Sequence, residues 1–186
     1  MVLNSIMILT KREDINDFPF SWINTEYLPD SKCFKKEIYT ENENINDELM
    51  LLFYSLFRDD KSNILIYNES WWDFCIDTWN PNNEDYNYSI EGKSTETKSY
   101  INMLNNSNIG QGFSGVCSCD DWDSFLSIIL NCLISHQAPY SPLFFNKSEE
   151  YFFYFHHTGS IGFYYKNETA IVKNILEKAN DDYLIK

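Results

Sequence analysis

The residues with the most recognisable chemical pattern begin at Gly110. The stretch Gly110 to Gly115 reads Gly-Gln-Gly-Phe-Ser-Gly and matches the glycine pattern of dinucleotide-binding loops letter for letter. That pattern binds a pyrophosphate only where a strand precedes it and a helix opens at its end. Here an Asn-rich turn precedes the glycines, and the next helix is expected only at Asp120. We therefore interpret the stretch as a loop and expect no nucleotide cofactor.

Cysteine and histidine side chains after this loop could in principle hold a metal ion. The candidate ligands are Cys117, Cys119, Cys132 and His136. Structural zinc sites usually combine two ligand pairs, with cysteines two to four residues apart. A Cys-x-Cys pair with one distant cysteine does not fit that spacing, and buried thiols commonly act as small hydrophobic side chains. We expect these residues to belong to the core and predict no metal.

His156 and His157 are the remaining candidates for acid–base chemistry. Neighbouring side chains on a strand point to opposite faces, so we expect that the two imidazoles cannot easily ligate one metal. No Gly-x-Ser-x-Gly motif or comparable nucleophile accompanies them. A small enzyme that uses one of these histidines is kept as an alternative, but the sequence favours a protein that is not an enzyme.

Tryptophans and acids between residues 69 and 85 form the best candidate for a binding site. The group consists of Glu69, Trp71, Asp73, Asp77, Trp79, Glu84 and Asp85. Aromatic anchors surrounded by carboxylates suit the capture of Lys and Arg side chains. The alternative is that the tryptophans are core residues and the acids a solvated rim. We expect Asp120, Asp121 and Asp123 to contribute to the same partner contact. We also expect charge reversal of Asp73 and Asp77 to weaken partner binding without unfolding the protein.

The charge of the chain limits the possible partners. Twenty-eight acidic residues against 14 lysines and arginines give a formal net charge of −14. Such a protein repels nucleic-acid phosphates and anionic membranes, and it attracts basic proteins. Residues 62 to 92 and 99 to 146 contain no lysine or arginine, so a cationic partner is expected to meet the middle of the chain.

The periodicity predicts a single α+β domain over residues 1 to 186, with a mostly antiparallel sheet and a C-terminal hairpin packed against several helices. Strands are expected at 5–10, 63–67, 113–119, 151–157 and 160–165. Helices are expected after Asn44, at 95–105, after Asp120 and after Asn167. Ser70 to Asp73 is a plausible capping box. It allows a helix over 71–79, a strand is the alternative, and the short apolar runs do not decide between them. Residues 80–93 are read as an acidic loop.

The C-terminal stretch Tyr151-Phe-Phe-Tyr-Phe-His-His-Thr-Gly-Ser-Ile-Gly-Phe-Tyr-Tyr165, followed by a helix, carries a resemblance. Together with the acidic, aromatic and Asn-rich composition, it resembles the immunity proteins of bacterial contact-dependent growth inhibition and polymorphic toxin systems. That resemblance implies a cytoplasmic, non-enzymatic antidote that binds one cognate toxin domain, often a basic nuclease, and blocks its active site or substrate channel.

Two further observations bear on these expectations. The odd number of cysteines and the lack of a secretory leader or a long apolar stretch favour reduced thiols in a cytosol. The same electrostatics would also suit a DNA mimic that inhibits a nucleic-acid-binding enzyme. Such a mimic would need carboxylates spaced like phosphates along an extended face.

Overall fold

The computed structural model describes residues 7–15, 17–24, 32–40 and 45–186. Within them the chain forms an α+β structure with four α-helices and ten strands, which confirms the predicted fold class. The helices are α1 (Ile45–Phe57), α2 (Thr95–Asn106), α3 (Trp122–Ile134) and α4 (Ala170–Asp182). The strands are β1 (Leu9–Lys11), β2 (Phe34–Tyr39), β3 (Leu65–Asn68), β4 (Trp79–Asn80), β5 (Asp85–Tyr86), β6 (Gly115–Cys119), β7 (Leu143–Asn146), β8 (Tyr151–His156), β9 (Ser160–Tyr165) and β10 (Leu184–Ile185).

Eight of the strands form one sheet in the order β1-β6-β3-β7-β8-β9-β2-β10. Every pair is antiparallel, and the expected hairpin is formed by β8 and β9, with Phe153 opposite Phe163. Because the sheet draws strands from both ends of the described chain, these residues form one structural unit. The short strands β4 and β5 pair only with each other.

The four helices cover one face of the sheet. Side chains alternate along a strand, so Tyr151, Phe153 and Phe155 of β8 all point to this face and belong to the main core. Phe57 of α1 stacks on Phe153 with ring centroids 4.1 Å apart, and Phe144 of β7 stacks on the same ring at 5.0 Å. Contacts between helices place them in the order α2-α3-α1-α4 across the sheet.

The second face of the sheet is covered by the irregular segment 17–24. Phe145, Phe152 and Tyr164 point to this face and form a second core cluster. The ring of Phe18 lies 5.5 Å from Phe145 and 5.6 Å from Phe152. The hairpin is apolar on both faces because it lies inside the sheet, with both faces covered by the protein's own chain.

The helix considered for 71–79 is not formed, and of the alternative strand only Trp79 belongs to one, β4. Residues 71–75 form an irregular loop, followed by a single 3₁₀ turn at Ile76–Thr78. The indole N–H groups of Trp71 and Trp72 donate to the carbonyls of Gly115 and Ile109, each at 3.0 Å. These buried hydrogen bonds to distant backbone fix both rings and override the local capping pattern.

Two predicted helix caps are shifted. Asp121, not Asp120, caps α3 by accepting from the Ser124 amide, and Thr169, not Asn167, caps α4. Helices α1 and α2 and strands β3, β6, β8 and β9 lie close to their predicted positions, whereas β2, β4, β5, β7 and β10 were not predicted. The expected cap at Asn44 and the first residues of the expected strand at 5–10 fall outside the described residues.

We expect Phe18→Ala to lower the free energy of unfolding by about 2–4 kcal/mol, because it leaves a cavity among four aromatic rings of the second face. Phe34→Ala is the matched control, since Phe34 is 58% exposed, and should cost less than about 1 kcal/mol. Urea denaturation of both variants measures the difference. Equal losses would show that segment 17–24 does not stabilise the sheet.

Candidate protein-binding surface

The predicted acidic loop contains a two-stranded ribbon. Trp79 of β4 pairs with Tyr86 of β5, and beyond the ribbon the Asn87 amide donates to the Thr78 carbonyl at 2.8 Å. At the tip, Glu84 has a φ of 51°, in the left-handed region that favours glycine. The conformation presents a carboxylate at the tip of the ribbon.

Asp77 anchors the base of this ribbon to helix α2. Its carboxylate accepts from the Ser94 amide at 3.0 Å and from the Thr97 hydroxyl at 2.6 Å. Its backbone carbonyl accepts from the ammonium of Lys93, the first basic residue after the stretch 62–92. Asp77 therefore holds the ribbon in place and is not available as a free charge for a partner.

A series of aromatic rings connects the core to the ribbon. Buried Trp72 contacts Tyr88 at 5.2 Å, Tyr88 stacks on Tyr86 at 6.0 Å, and Tyr86 meets Trp79 at 5.0 Å. The Tyr88 hydroxyl donates to the carboxylate of Asp73 at 2.5 Å. Burial, together with this hydrogen bond, raises the pKa of Tyr88, so the hydroxyl stays protonated and keeps donating at neutral pH.

Asp73 is thus also a structural acceptor. It receives hydrogen bonds from Tyr88 and from the Ser70 hydroxyl. Reversing the charge of Asp73 or Asp77 would remove the contacts that position the ribbon. These substitutions would disturb the structure and the surface together, contrary to what we expected from the sequence.

The exposed part of the ribbon combines two aromatic rings with two carboxylates. Trp79 is 43% and Tyr86 40% exposed, and Glu84 and Asp85 beside them are exposed as well. Within the described parts of the chain, no lysine or arginine forms an ion pair with either acid. We call Trp79, Glu84, Asp85 and Tyr86 the ribbon surface.

Two other predicted residues lie near the base of the ribbon, with different roles. Trp71 is fully buried, so the alternative that it is a core residue is correct and it cannot be a surface anchor. Glu69 is exposed at the end of β3 and lines an open pocket of about 260 Å³ together with Asp73 and Tyr140. Tyr140 is 79% exposed. Glu69 and Tyr140 could therefore meet a partner that reaches beyond the ribbon surface.

The predicted acids at the start of α3 accept hydrogen bonds within the protein. Asp120 accepts from the Thr10 hydroxyl at 2.7 Å, and Asp123 accepts from the Tyr54 hydroxyl. Asp121 caps the helix. Burial, with the hydrogen bond to Asp123, raises the pKa of Tyr54.

These acids also lie far from the ribbon surface. Helix α3 has 13 residues and therefore spans about 20 Å. The acids occupy its first end, whereas the turn beyond its last end meets the base of the ribbon, where the Ile76 amide donates to the Gln137 carbonyl at 2.7 Å. The structure does not bring the two predicted groups together.

The glycine pattern, the candidate cysteine ligands and the two adjacent histidines lie in different elements of the fold. A strand, not a helix, begins at Gly115, which agrees with a loop reading of the glycine pattern. Burial raises the pKa of Cys117 to about 12, which keeps its thiol protonated at neutral pH. In the described residues, no three His, Cys, Asp or Glu side chains are arranged to hold a metal ion. The rings of His156 and His157, expected on opposite faces, lie 4.4 Å apart because His157 belongs to the turn after β8.

The sequence interpretation missed Tyr86 and Tyr88 as site residues. Both were assigned to the loop, although the order Asp85-Tyr86-Asn87-Tyr88 alternates polar and aromatic residues with the period of a strand. That alternation was the available signal for the ribbon.

Comparisons of the chain with protein-family models, with curated proteins and with solved structures find no match. None of the helices in the described part of the chain combines the length and apolar character that crossing a bilayer requires.

We expect Asp77→Asn to loosen the ribbon, because an amide offers one acceptor oxygen where the carboxylate accepts two hydrogen bonds. The free energy of unfolding should fall by about 1–2 kcal/mol, and the Asn87 amide should exchange its hydrogen faster. Amide exchange followed by NMR tests this, with Asp182→Asn at the exposed end of α4 as control. Unchanged protection of Asn87 would mean that Asp77 does not anchor the ribbon.

Proposed function

We propose that this protein binds a basic protein domain through the ribbon surface and acts as a cytoplasmic antidote to a toxin domain. The observation that carries the proposal is the exposed Trp79–Tyr86 pair on an anchored ribbon, with Glu84 and Asp85 beside it and without an ion-pair partner in the described chain. Exposed aromatic rings next to unneutralised carboxylates fit lysine and arginine side chains.

The electrostatics favour fast capture of a cationic partner. A net charge of −14 attracts a basic protein over a distance set by the ionic strength. At contact, an arginine can stack on Trp79 or Tyr86 and donate to a neighbouring carboxylate. Desolvated aromatic anchors of this kind slow dissociation.

The rigidity of the ribbon lowers the entropic cost of binding. Asp77, Asp73 and the hydrogen bond between Asn87 and Thr78 already fix the backbone that carries the ribbon surface. Few groups then need to be ordered on association, so more of the contact energy contributes to affinity.

A basic nuclease domain suits this surface as a partner. Such an enzyme must present Lys and Arg to phosphates, and carboxylates on an inhibitor can occupy the same groups. The resemblance to immunity proteins supports the same partner class. In this proposal the protein performs no catalysis, requires no cofactor and does not bind nucleic acid or a membrane.

We expect the variant Glu84→Lys/Asp85→Lys to lose at least about tenfold in affinity for a basic partner captured from the native strain. The two introduced lysines repel that partner, and two hydrogen-bond acceptors are lost from the ribbon surface. The control Asp181→Lys/Asp182→Lys changes the net charge by the same amount on α4. The helix order places α4 three helices from α2, roughly 25–30 Å away. Affinity is measured by calorimetry at low and moderate salt.

The captured protein is then expressed alone and together with the protein. Growth arrest that the wild-type protein relieves, and that Glu84→Lys/Asp85→Lys relieves poorly, would support the antidote. Equal affinity of both variants would overturn the ribbon surface as the contact. Retention of a DNA-binding enzyme that competes with DNA, and that is harmless when expressed alone, would overturn the antidote in favour of DNA mimicry.

A further inference from the structure

All three histidines of the chain lie together in the fold. His136 follows α3, whereas His156 and His157 lie at the end of β8 and in the turn before β9. The His157 ring is 5.3 Å from the ring of His136 and 4.4 Å from that of His156. Two separate parts of the chain thus place all of its imidazoles at the turn end of the β8–β9 hairpin.

The backbone around each ring is fixed by hydrogen bonds. His136 has a φ of 57°, and its amide donates to the Leu133 carbonyl at 3.1 Å, which closes the turn after α3. In the hairpin turn, the Gly159 amide donates to the His156 carbonyl at 3.1 Å. The two turns therefore hold their imidazoles in a defined relation.

We propose that His136 and His157 form a binding site for a borderline divalent transition-metal ion of the Ni²⁺, Cu²⁺ or Zn²⁺ class. Neutral imidazole is a preferred ligand of these ions. Two imidazoles bound to one ion through nitrogens about 2.1 Å from it have ring centres roughly 4.6 Å apart at the 90° angle of Ni²⁺ and Cu²⁺ sites and roughly 5.3 Å apart at the tetrahedral angle of Zn²⁺ sites. The observed separation of 5.3 Å, with ring planes 68° apart, matches that spacing.

His156 has a different position in this cluster. Its Nδ1 lies 2.6 Å from the hydroxyl oxygen of Thr158, and its ring is tilted only 31° from that of His157. This near-parallel arrangement packs the two rings against each other. Since no three ligands in the described residues are arranged for a metal, the site has two protein ligands and leaves the remaining coordination positions to water.

Such an ion would link two elements near the ribbon. The residue after His136 is Gln137, whose carbonyl accepts from the Ile76 amide at the base of the ribbon. A metal held between His136 and His157 would tie the turn after α3 to the β8–β9 turn.

The test is a titration of the protein, without a histidine tag, with Ni²⁺ at pH 7.5. Calorimetry measures the affinity and the number of ions bound. We expect one ion per chain, with affinity reduced more than about tenfold in His136→Gln and in His157→Gln. His156→Gln is the matched control and should keep its affinity within about threefold. In NMR spectra, paramagnetic Ni²⁺ should broaden the imidazole signals of His136 and His157 at substoichiometric amounts.

None of the three substituted histidines is buried, so circular dichroism is expected to show intact folds in all three variants. Absence of Ni²⁺ binding by the wild-type protein would overturn the site. Wild-type affinity in His136→Gln or His157→Gln would do the same, because the ion would then be bound by carboxylates or thiols elsewhere.

Discussion

The fold depends on covering both faces of a sheet whose central hairpin, β8–β9, is apolar on both faces. Every residue of β9 is buried, so neither face of this strand can be left to water. The helices cover one face through the stack of Phe57 and Phe153, and segment 17–24 covers the other through Phe18. Gly162 adapts β9 to this packing, because a Cβ there would lie 2.7 Å from the ring of Tyr154. The sheet and its two coverings are therefore mutually dependent.

The buried carboxylate of Asp60 is held by neutral hydrogen-bond donors. Asp60 is 5% exposed and accepts from the Asn63 and Asn146 amides and the Tyr151 hydroxyl. Burial, together with this hydrogen bond to Asp60, raises the pKa of Tyr151, so the hydroxyl remains a donor. Neutral donors thus serve the interior, and the ion pairs found in the described residues lie at the surface and do not involve residues 62 to 92. The acids of the ribbon surface consequently keep their charge unneutralised.

Sequence periodicity predicts those elements whose burial follows a regular repeat. Helix α1, helix α3 and the β8–β9 hairpin are of this kind, since a 3.6- or 2-residue pattern reports directly which side is buried. Trp71 and Trp79 show where that reasoning ends. The two residues have the same type and lie in one segment, yet Trp71 is fully buried and Trp79 is 43% exposed. What separates them is the hydrogen bond from the Trp71 indole to Gly115, a contact across 44 residues that no local pattern encodes. The proximity of His136 to His157 likewise depends on how α3 packs against the sheet and could not be read from their separation in the sequence.

The aromatic series from Trp72 to Trp79 explains how an exposed ribbon can be both apolar and well positioned. An isolated two-stranded ribbon with strands of two residues has little stability of its own. Here Tyr88 joins the ribbon to the core by contacting Trp72 and donating to Asp73, and Asp77 joins it to α2. The left-handed conformation of Glu84 is a local cost that these contacts offset. Because the rings of Trp79 and Tyr86 stay exposed while their backbone is held from below, the position of the ribbon is set by the core, and its outer face is left for recognition.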